Sequence, residues 1–332
     1  MGGAGGGPGP ARGPAAVAPA APVGAPRPHR AGYRRLARPG LLIARELVGQ
    51  GARVAIGARD EETLDRARQD LLARGGPVAA IQCDVTDRDS VERLVRATTD
   101  RLGPIDALVN CAGAITVGPV QDMRLEDFRQ AMDTNFWGAL HAILAVLPAM
   151  RARRGRRIVN VASIGGRLSV PHLVPYSASK FALVGLSEGL RAELTGDGID
   201  VTTVCPGLMR TGSPRHAYFK GQYRAEYAWF SIADALPLVS MDADRAARQV
   251  VDALRHGDGD RTLSLPAVAA AKLHGLFPGA TAALMRLVSR TLPGPDGAAG
   301  GAVEGAASAS GLSPSVLTSL GERAAARNNQ TG

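Results

Sequence analysis

Short β-branched runs alternate along the chain with longer stretches in which apolar residues recur every three or four positions. The first pattern predicts strands at residues 53–56, 78–82, 107–109, 157–161 and 200–204. The second predicts helices at residues 41–50, 61–74, 89–101, 125–150, 176–194 and 244–256. This alternation favours an α/β fold, a doubly wound parallel sheet with helices on both faces. Such sheets bind ligands at the carboxyl ends of their strands.

The two ends of the chain lack this pattern. Residues 1–40 contain ten Gly, eight Pro and six Arg but no acidic residue, a composition that predicts disorder. Residues 293–332 are rich in Gly, Ala and Ser, which predicts a mobile tail. The folded domain is therefore expected at residues 41–292.

Charge, cysteine content and the length of the apolar stretches exclude several classes of function. The formal charge is +9, but the six arginines of residues 1–40 leave the rest of the chain close to neutral, and we expect no nucleic-acid partner. Three scattered cysteines predict neither a disulfide framework nor a metal site and fit a cytoplasmic protein. Every apolar stretch is interrupted before about 18 residues, so no integral membrane segment is predicted.

Tyr176 and Lys180 lie four positions apart on one predicted helix and project from the same face. An ammonium held beside a tyrosine stabilises the phenolate and makes the side chain a usable acid or base. Ser163 follows a predicted strand, where its hydroxyl can hydrogen-bond a substrate oxygen. A Tyr–Lys pair alone is more typical of a solvated helix face, so its surroundings decide the interpretation.

Further motifs stand around this pair in a fixed order. They are Cys83-Asp84-Val85, Asn110-Cys111-Ala112-Gly113, Asn135, Ser163, Tyr176-Ser177-Ala178-Ser179-Lys180 and Cys205-Pro206-Gly207. In these motifs residues 41–265 resemble the short-chain dehydrogenase/reductase family. The resemblance implies a Rossmann-type single domain and an NAD(P)-dependent oxidoreductase that moves a hydride between nicotinamide and an alcohol/carbonyl pair. It also implies a homodimer or homotetramer.

The resemblance assigns roles to individual residues. Tyr176 would give or take the proton, Ser163 would orient the substrate oxygen, and Lys180 would lower the pKa of Tyr176 and hold the nicotinamide ribose. Asn135 would keep a proton-relay water in place. Asp84 would contact the adenine and Pro206-Gly207 would face the nicotinamide. The other implied cofactor-binding residues are Val85, Asn110, Ala112 and Gly113.

The end of the second predicted strand bears on the choice of cofactor. An acidic residue there binds the ribose hydroxyls of NAD, and a basic residue binds the 2′-phosphate of NADP. The sequence is Ile56-Gly57-Ala58-Arg59, so Arg59 favours NADP(H) over NAD(H). Asp60 follows directly and weakens this inference, and Arg59 could alternatively be a solvated charge at a helix entry.

The glycine-rich phosphate loop of the family is missing. Residues 33–40 read Tyr-Arg-Arg-Leu-Ala-Arg-Pro-Gly, only Gly40 stands where the family has glycine, and no first strand is predicted before them. A shift of one nucleotide in a GC-rich coding sequence would convert this stretch to Thr-Gly-Gly-Ser-Arg-Gly-Leu-Gly. We therefore hypothesise that residues 1–40 are read out of frame and that the first strand and loop are corrupted.

Residues 208–241 correspond to the variable segment that closes over substrate in the family. Six aromatic residues fall between Tyr218 and Phe230, and Phe219, Tyr223, Tyr227 and Phe230 recur at helical spacing. A lid over a bulky apolar substrate and a helix packed on the core or on another subunit are both open interpretations. The candidate substrate residues are Tyr218, Phe219, Tyr223 and His172.

Three alternatives remain open. The chain could be a catalytically impaired relative that acts as a binding module, or a non-functional frameshift product. The arginine run at residues 151–157 could contact nucleic acid, although a solvated turn explains it better. Residues 267–288 mix apolar residues with Lys272, His274 and Arg286, which is compatible with a membrane surface or with a subunit contact.

Overall fold

A computed structural model of the chain describes residues 15–19, 38–211, 213–236, 240–297 and 301–308. The strands are β1 Ala15–Pro19, β2 Arg53–Ala58, β3 Val78–Gln82, β4 Ala107–Asn110, β5 Thr116–Val117, β6 Arg156–Val161, β7 Ile199–Pro206, β8 Leu208–Arg210, β9 Tyr218–Phe219, β10 Ser240–Asp242, β11 Asp260–Leu263 and β12 Val303–Glu304. Seven of them form one parallel sheet in the order β11, β7, β6, β4, β1, β2, β3. The predicted doubly wound sheet is confirmed.

The helices lie on both faces of this sheet. They are α1 Arg38–Gly49, α2 Glu61–Leu72, α3 Arg88–Leu102, α4 Leu125–Met132, α5 Gly138–Arg153, α6 Val174–Leu194, α7 Tyr223–Ala235, α8 Ala243–His256, α9 Leu265–Leu276 and α10 Pro278–Ser289. One apolar core joins α1, α2 and α8 to one face, with Ile43 and Val251 buried in it. A second core joins α3 and α5 to the other face around Ile143 and Leu108. Burial on both faces explains why these strands read as continuous apolar runs.

One predicted helix differs from the observed structure, and one observed edge strand of the main sheet was missed. The single helix predicted at residues 125–150 is interrupted by a π-helical turn at Asp133–Trp137. This turn keeps backbone hydrogen bonds while adding a residue to the helical repeat, so the periodic pattern does not reveal it. β11 was not predicted, because Asp260–Leu263 has only one fully buried residue and lies at the edge of the sheet.

The prediction that no first strand precedes the domain is wrong. β1 lies between β4 and β2, parallel to both, with Val17 opposite Ala55 and Leu108. Without it, the facing edges of β2 and β4 would leave backbone N–H and C=O groups unpaired in the middle of the sheet. The predicted disorder and out-of-frame reading of residues 1–14 and 20–37, including the altered loop, lie outside the described residues.

The predicted mobile tail from residue 293 is also wrong for residues 301–308. β12 pairs antiparallel with β9, and β9 pairs with β5, to form a small three-stranded sheet. The Gly305 amide donates to the carbonyl of Ala217 at 2.9 Å. An unpaired edge of β9 offers backbone hydrogen bonds that any extended segment can satisfy, and composition does not show this. Residues 309–332, with the remainder of the predicted tail, lie outside the described residues.

α9 and α10 form a helical hairpin at the β11 edge of the main sheet. His274 Nδ1 and Thr281 Oγ1 are 2.8 Å apart across the hairpin. Of the ten α-helices among the described residues, only α6 is longer than 16 residues. No helix in this part of the chain is both long and apolar enough to cross a membrane.

Candidate active site

Asn135 lies in the π-helical turn between α4 and α5 and is almost fully buried. Its Oδ1 accepts a hydrogen bond from the Ala114 amide at 2.8 Å. Its Nδ2 donates to the Ala114 carbonyl at 3.1 Å and to Ser179 Oγ at 2.8 Å. The side chain therefore joins the segment after β4 to the start of α6. The expected role of Asn135 in holding a relay water remains a prediction.

Tyr176 lies against the turn that begins at Ser163. Ser163 Oγ accepts a hydrogen bond from the Gly165 amide at 3.0 Å. A Cβ at Gly165 would lie 3.1 Å from Cε1 of the Tyr176 ring and 3.5 Å from Ser163 Oγ. Glycine at this position therefore allows the ring to approach the serine loop. Sequence analysis missed Gly165, because nothing in the sequence shows which ring lies against it.

Lys180 lies on the same face of α6, with Nζ 5.9 Å from the centre of the Tyr176 ring. Nζ donates to the carbonyl of Val161 at 3.0 Å. Burial lowers the pKa of Lys180 to about 8. The predicted geometry of the pair is thus confirmed, and the ammonium is held by the end of β6.

The predicted lowering of the Tyr176 pKa is wrong for this structure. Burial raises the pKa of Tyr176 to about 12, the hydrogen bond from Ser163 opposes this rise, and Cys205 adds to it. Desolvation of the phenolate is the largest cause. At neutral pH the side chain is a neutral phenol, which can donate a proton.

A small cleft brings the predicted cofactor residues beside the catalytic set. It is lined by Val85, Asn110, Ala112, Thr134, Asn135, Gly138, Ala139 and Leu183. Gly113 lies at the same place, since a Cβ on it would be 3.6 Å from Asn135 Oδ1 and 3.9 Å from Lys180 Nζ. The Asn110 Nδ2 donates to Asn160 Oδ1 at 2.9 Å, while the buried Asn110 Oδ1 has no hydrogen-bond partner. An acceptor left unpaired in a buried cleft suits a ligand with N–H or O–H groups, as a nicotinamide dinucleotide has.

The ends of β2 and β3 lie at the same edge of the sheet. Arg59 is only 9% exposed, and its carbonyl accepts from Gln82 Nε2 at 2.9 Å. Asp60 caps α2, with Oδ1 accepting from the Thr63 amide at 2.8 Å. The Asp84 carboxylate accepts from the amide and hydroxyl of Thr86 at 2.9 and 2.7 Å. Asp60 is therefore engaged in helix capping.

Gly40 lies in the first turn of α1, buried against the segment that follows β4. A Cβ at this position would come within 2.9 Å of Cys111 Sγ. The helix N-terminus thus closely approaches the Asn110–Gly113 motif, the packing that the last glycine of a dinucleotide loop allows. Residues 20–37, which precede α1 in the sequence, lie outside the described residues.

Pro206 and Gly207 complete the predicted set at the end of β7. The Ala162 amide donates to the Val204 carbonyl at 2.7 Å, which places this strand end beside the Ser163 loop. A Cβ at Gly207 would lie 2.9 Å from Ser264 Oγ and 3.0 Å from Ala267 Cβ. Gly207 therefore allows α9 to begin against the site.

The aromatic residues of 208–241 form a compact cluster, with α7 packed on the β5–β9–β12 sheet. Phe219 is 0% exposed and makes edge contacts with Tyr227 and Phe230, at centroid distances of 5.4 and 6.0 Å. The expectation that Phe219 continues the helical face is wrong, because it lies in β9 and α7 begins at Tyr223. Tyr218 is also buried but is not part of this cluster, because successive side chains of β9 point to opposite faces. Tyr223 is half-buried and packs against the same cluster as Tyr176.

His172 is buried next to this cluster and contacts a residue that sequence analysis missed. His172 Nδ1 lies 2.8 Å from Glu226 Oε1, and Trp229 Nε1 donates to Glu226 Oε2 at 2.6 Å. Glu226 is fully buried on α7. An acidic residue among the aromatics of an apolar helix indicates a buried hydrogen-bond partner, and this signal could have identified Glu226. The contact joins α7 to the loop before α6.

The arginine run at residues 151–157, which spans the end of α5 and the start of β6, is largely ion-paired. Arg153 and Arg156 both contact Asp106, at 3.0 and 3.2 Å. Arg151 contacts Asp197 at 2.6 Å and Arg157 contacts Asp200 at 3.5 Å. These contacts support the interpretation of the run as a solvated turn.

Comparison with known proteins agrees with this arrangement. A family model described as short chain dehydrogenase matches residues 40–218, more than half of the chain. The ketoacyl reductase HetN of Nostoc is 35% identical over 170 residues, covering 51% of this chain and 59% of its own. The 3-ketodihydrosphingosine reductase of Mus musculus is 36% identical over 172 residues, covering 50% of this chain and 52% of its own. The chain thus spans little more than half the length of these relatives.

A solved structure extends the likeness to the whole domain. A variant of actinorhodin polyketide ketoreductase, crystallised with NADPH, aligns with a TM-score of 0.63 and 29% identity. The alignment covers 76% of this chain and 95% of that structure.

Proposed function

The chain belongs to the short-chain dehydrogenase family, and from this premise we propose that it is an NAD(P)-dependent reductase of a ketone. The observation that carries the proposal is the arrangement of three side chains: Tyr176 packs against the Gly165 turn that Ser163 caps, and Nζ of the buried Lys180 lies 5.9 Å from the centre of the Tyr176 ring. A protonated phenol is the form that reduction needs, because a carbonyl oxygen must gain a proton as its carbon gains a hydride. The proposed direction is therefore from ketone to alcohol.

A bound reduced nicotinamide supplies the hydride in this chemistry. The Tyr176 hydroxyl and Ser163 Oγ both hydrogen-bond the carbonyl oxygen, which polarises it and fixes its position. As charge develops on that oxygen, Tyr176 transfers its proton and becomes a phenolate. The Lys180 ammonium stabilises this phenolate, an interaction that is strongest in a water-poor site.

We assign the cofactor preference to NADP(H). Arg59, nearly buried beyond the end of β2, presents a planar guanidinium suited to a phosphate. Asp60, the acidic residue that would favour NAD, caps α2 instead. The remaining cofactor contacts are proposed for Gly40, Asp84, Val85, Asn110, Ala112, Gly113, Lys180, Pro206 and Gly207.

The proposed substrate carries a bulky apolar group next to the ketone. The aromatic cluster closes one side of the site, and Tyr223 and Tyr176 both pack against it. The Nostoc relative is named for ketoacyl reduction and the mouse relative for reduction of 3-ketodihydrosphingosine, and both names describe a ketone on a long or acyl chain. His172 and Tyr223 are the proposed contacts to that chain.

The test is NADPH oxidation by the full chain with 3-oxoacyl esters and aryl ketones. Tyr176→Phe keeps the ring and removes the proton, so turnover should fall by about 10²–10⁴-fold, while NADPH binding persists. Tyr227→Phe, a buried tyrosine of the same cluster, is the matched control and should retain activity. If NADPH binds and no ketone is reduced by the parent protein, the chain is a binding module and the proposal fails.

A further inference from the structure

The hairpin of α9 and α10 carries the largest concentration of exposed apolar side chains among the described residues. Leu265 is 86% exposed, Leu276 73% and Phe277 58%. Leu273, Leu284 and Leu287 are also more than half exposed. Leu276 and Phe277 lie at the corner where the two helices meet. Single exposed apolar side chains are common on proteins, but five leucines and a phenylalanine within residues 265–287 form a patch that indicates a binding surface.

The charge of this segment indicates what kind of surface binds the patch. Residues 261–295 contain no aspartate or glutamate. Lys272, Arg286 and Arg290 of the hairpin are all exposed, and none forms an ion pair with any residue the structure describes. Cations interspersed among exposed apolar residues, without acidic residues, match a surface that is apolar inside and anionic outside.

We propose that the α9–α10 hairpin lies in the surface of an anionic lipid bilayer, with Leu276 and Phe277 inserted among the acyl chains. Each helix has 12 residues and is about 18 Å long, well short of the roughly 30 Å apolar thickness of a bilayer. The hairpin therefore rests in the interface rather than crossing it. This proposal does not depend on the proposed reductase activity.

A second copy of the chain fits the same surface less well. In a two-fold contact through the hairpin, the patch on one copy would face the identical patch on the other. Three cations would then oppose three cations with no acidic residue of the segment between them, which is unfavourable. In an anionic headgroup layer, each cation can instead pair with a negative charge.

The hairpin is also rigidly attached beside the active site. The close approach of Gly207 to Ser264 and Ala267 fixes the start of α9 at the end of β7, and the contact between His274 and Thr281 holds the two helices together. A bilayer bound to this hairpin would therefore lie near the carboxyl end of β7, where Gly207 stands.

Vesicle flotation of the full chain tests the proposal. We expect flotation with phosphatidylcholine vesicles that contain phosphatidylglycerol, weaker flotation with phosphatidylcholine alone, and loss of part of the binding at high salt. Replacing Leu276 and Phe277 together by serine should lower vesicle partitioning by about 100-fold, since each buried side chain contributes about tenfold. The matched control replaces Val120 and Leu125, which are similarly exposed on the α4 side, and should float like the parent.

Two further measurements separate the alternative occupants. Hydrogen exchange of peptides covering residues 265–290 should be slower on anionic vesicles than in solution. If vesicles that bind the protein leave the exchange of these peptides unchanged, another surface contacts the bilayer and the proposal fails. Sedimentation should show the same oligomeric state for the parent and the Leu276/Phe277 double variant, whereas dissociation of the variant into smaller species would show that a second copy is the occupant. Absence of flotation with every vesicle would also overturn the proposal.

Discussion

Replacement of Lys180 by methionine should make the protein more stable at neutral pH while impairing catalysis. Lys180 is 3% exposed, and burial lowers its pKa from 10.5 to about 8. The difference corresponds to about 3 kcal/mol of destabilisation of the folded state when the side chain is charged, at about 1.4 kcal/mol per pKa unit. Methionine has a similar length and removes this cost. It also removes the hydrogen bond to the Val161 carbonyl, which costs about 1–2 kcal/mol.

The sign of the pH dependence follows from the direction of the shift. Below pH 8 the lysine is protonated in both the folded and the unfolded protein, so the buried charge destabilises the folded state by the full amount. Between about pH 8 and 10.5 the unfolded chain holds the proton that the folded protein has released, so wild-type stability rises with pH relative to Lys180→Met. The lost hydrogen bond does not change with pH in this way. The free energy of unfolding of Lys180→Met should therefore exceed that of the parent by about 1–2 kcal/mol at pH 7, and this difference should disappear near pH 10.

Urea unfolding of both proteins at several pH values from 7 to 10 measures this difference directly, because other titrating groups are common to both. Lys272→Met removes an exposed lysine on α9 and should show no such trend. Ketone reduction at pH 7 should fall in Lys180→Met, because the phenolate of Tyr176 loses its stabilising cation. A stability difference between the parent and Lys180→Met that stays constant from pH 7 to 10 would refute the reasoning.

Three other substitutions test separate parts of the site. Arg59→Ala should raise the KM for NADPH by about 10–100-fold, because it removes a charged hydrogen bond to phosphate. The KM for NADH should stay nearly unchanged, and equal effects on both cofactors would contradict the assignment. Gly165→Ala places a Cβ 3.1 Å from the Tyr176 ring and should lower kcat about tenfold by displacing the hydroxyl, whereas Gly185→Ala, with open space around it, should not. Replacing residues 33–39 by Thr-Gly-Gly-Ser-Arg-Gly-Leu should tighten NADPH binding about tenfold or more by adding backbone N–H donors for pyrophosphate; unchanged affinity would argue against the out-of-frame hypothesis.

The sequence predicts the site better than it predicts the ends of the chain. The spacing of Tyr176 and Lys180 and the position of Ser163 after a strand follow from local periodicity, and the structure brings these side chains together. The position of β1 does not follow from periodicity. Its five residues form a strand because the neighbouring strand edges require hydrogen-bond partners, and that requirement exists only in the folded sheet.

The electrostatics of the site show a second limit of sequence reasoning. The spacing of Tyr176 and Lys180 predicts a lowered tyrosine pKa, but the direction of the shift also depends on desolvation of the phenol, which raises the pKa. The pairing of His172 with Glu226 likewise joins residues far apart in the chain. Neither burial nor long-range contacts can be obtained from residue spacing alone.

Transfer of deuterium from cofactor to product tests the central claim most directly. NADPH deuterated at the transferring position of the nicotinamide is incubated with the full chain and a 3-oxoacyl ester, and the hydroxy product is analysed by mass spectrometry. The account predicts one deuterium on the carbinol carbon with the parent protein and a product yield lower by about 10²-fold or more with Tyr176→Phe. A deuterated product formed equally fast by Tyr176→Phe, or no deuterated product from a parent protein that binds NADPH, would contradict it.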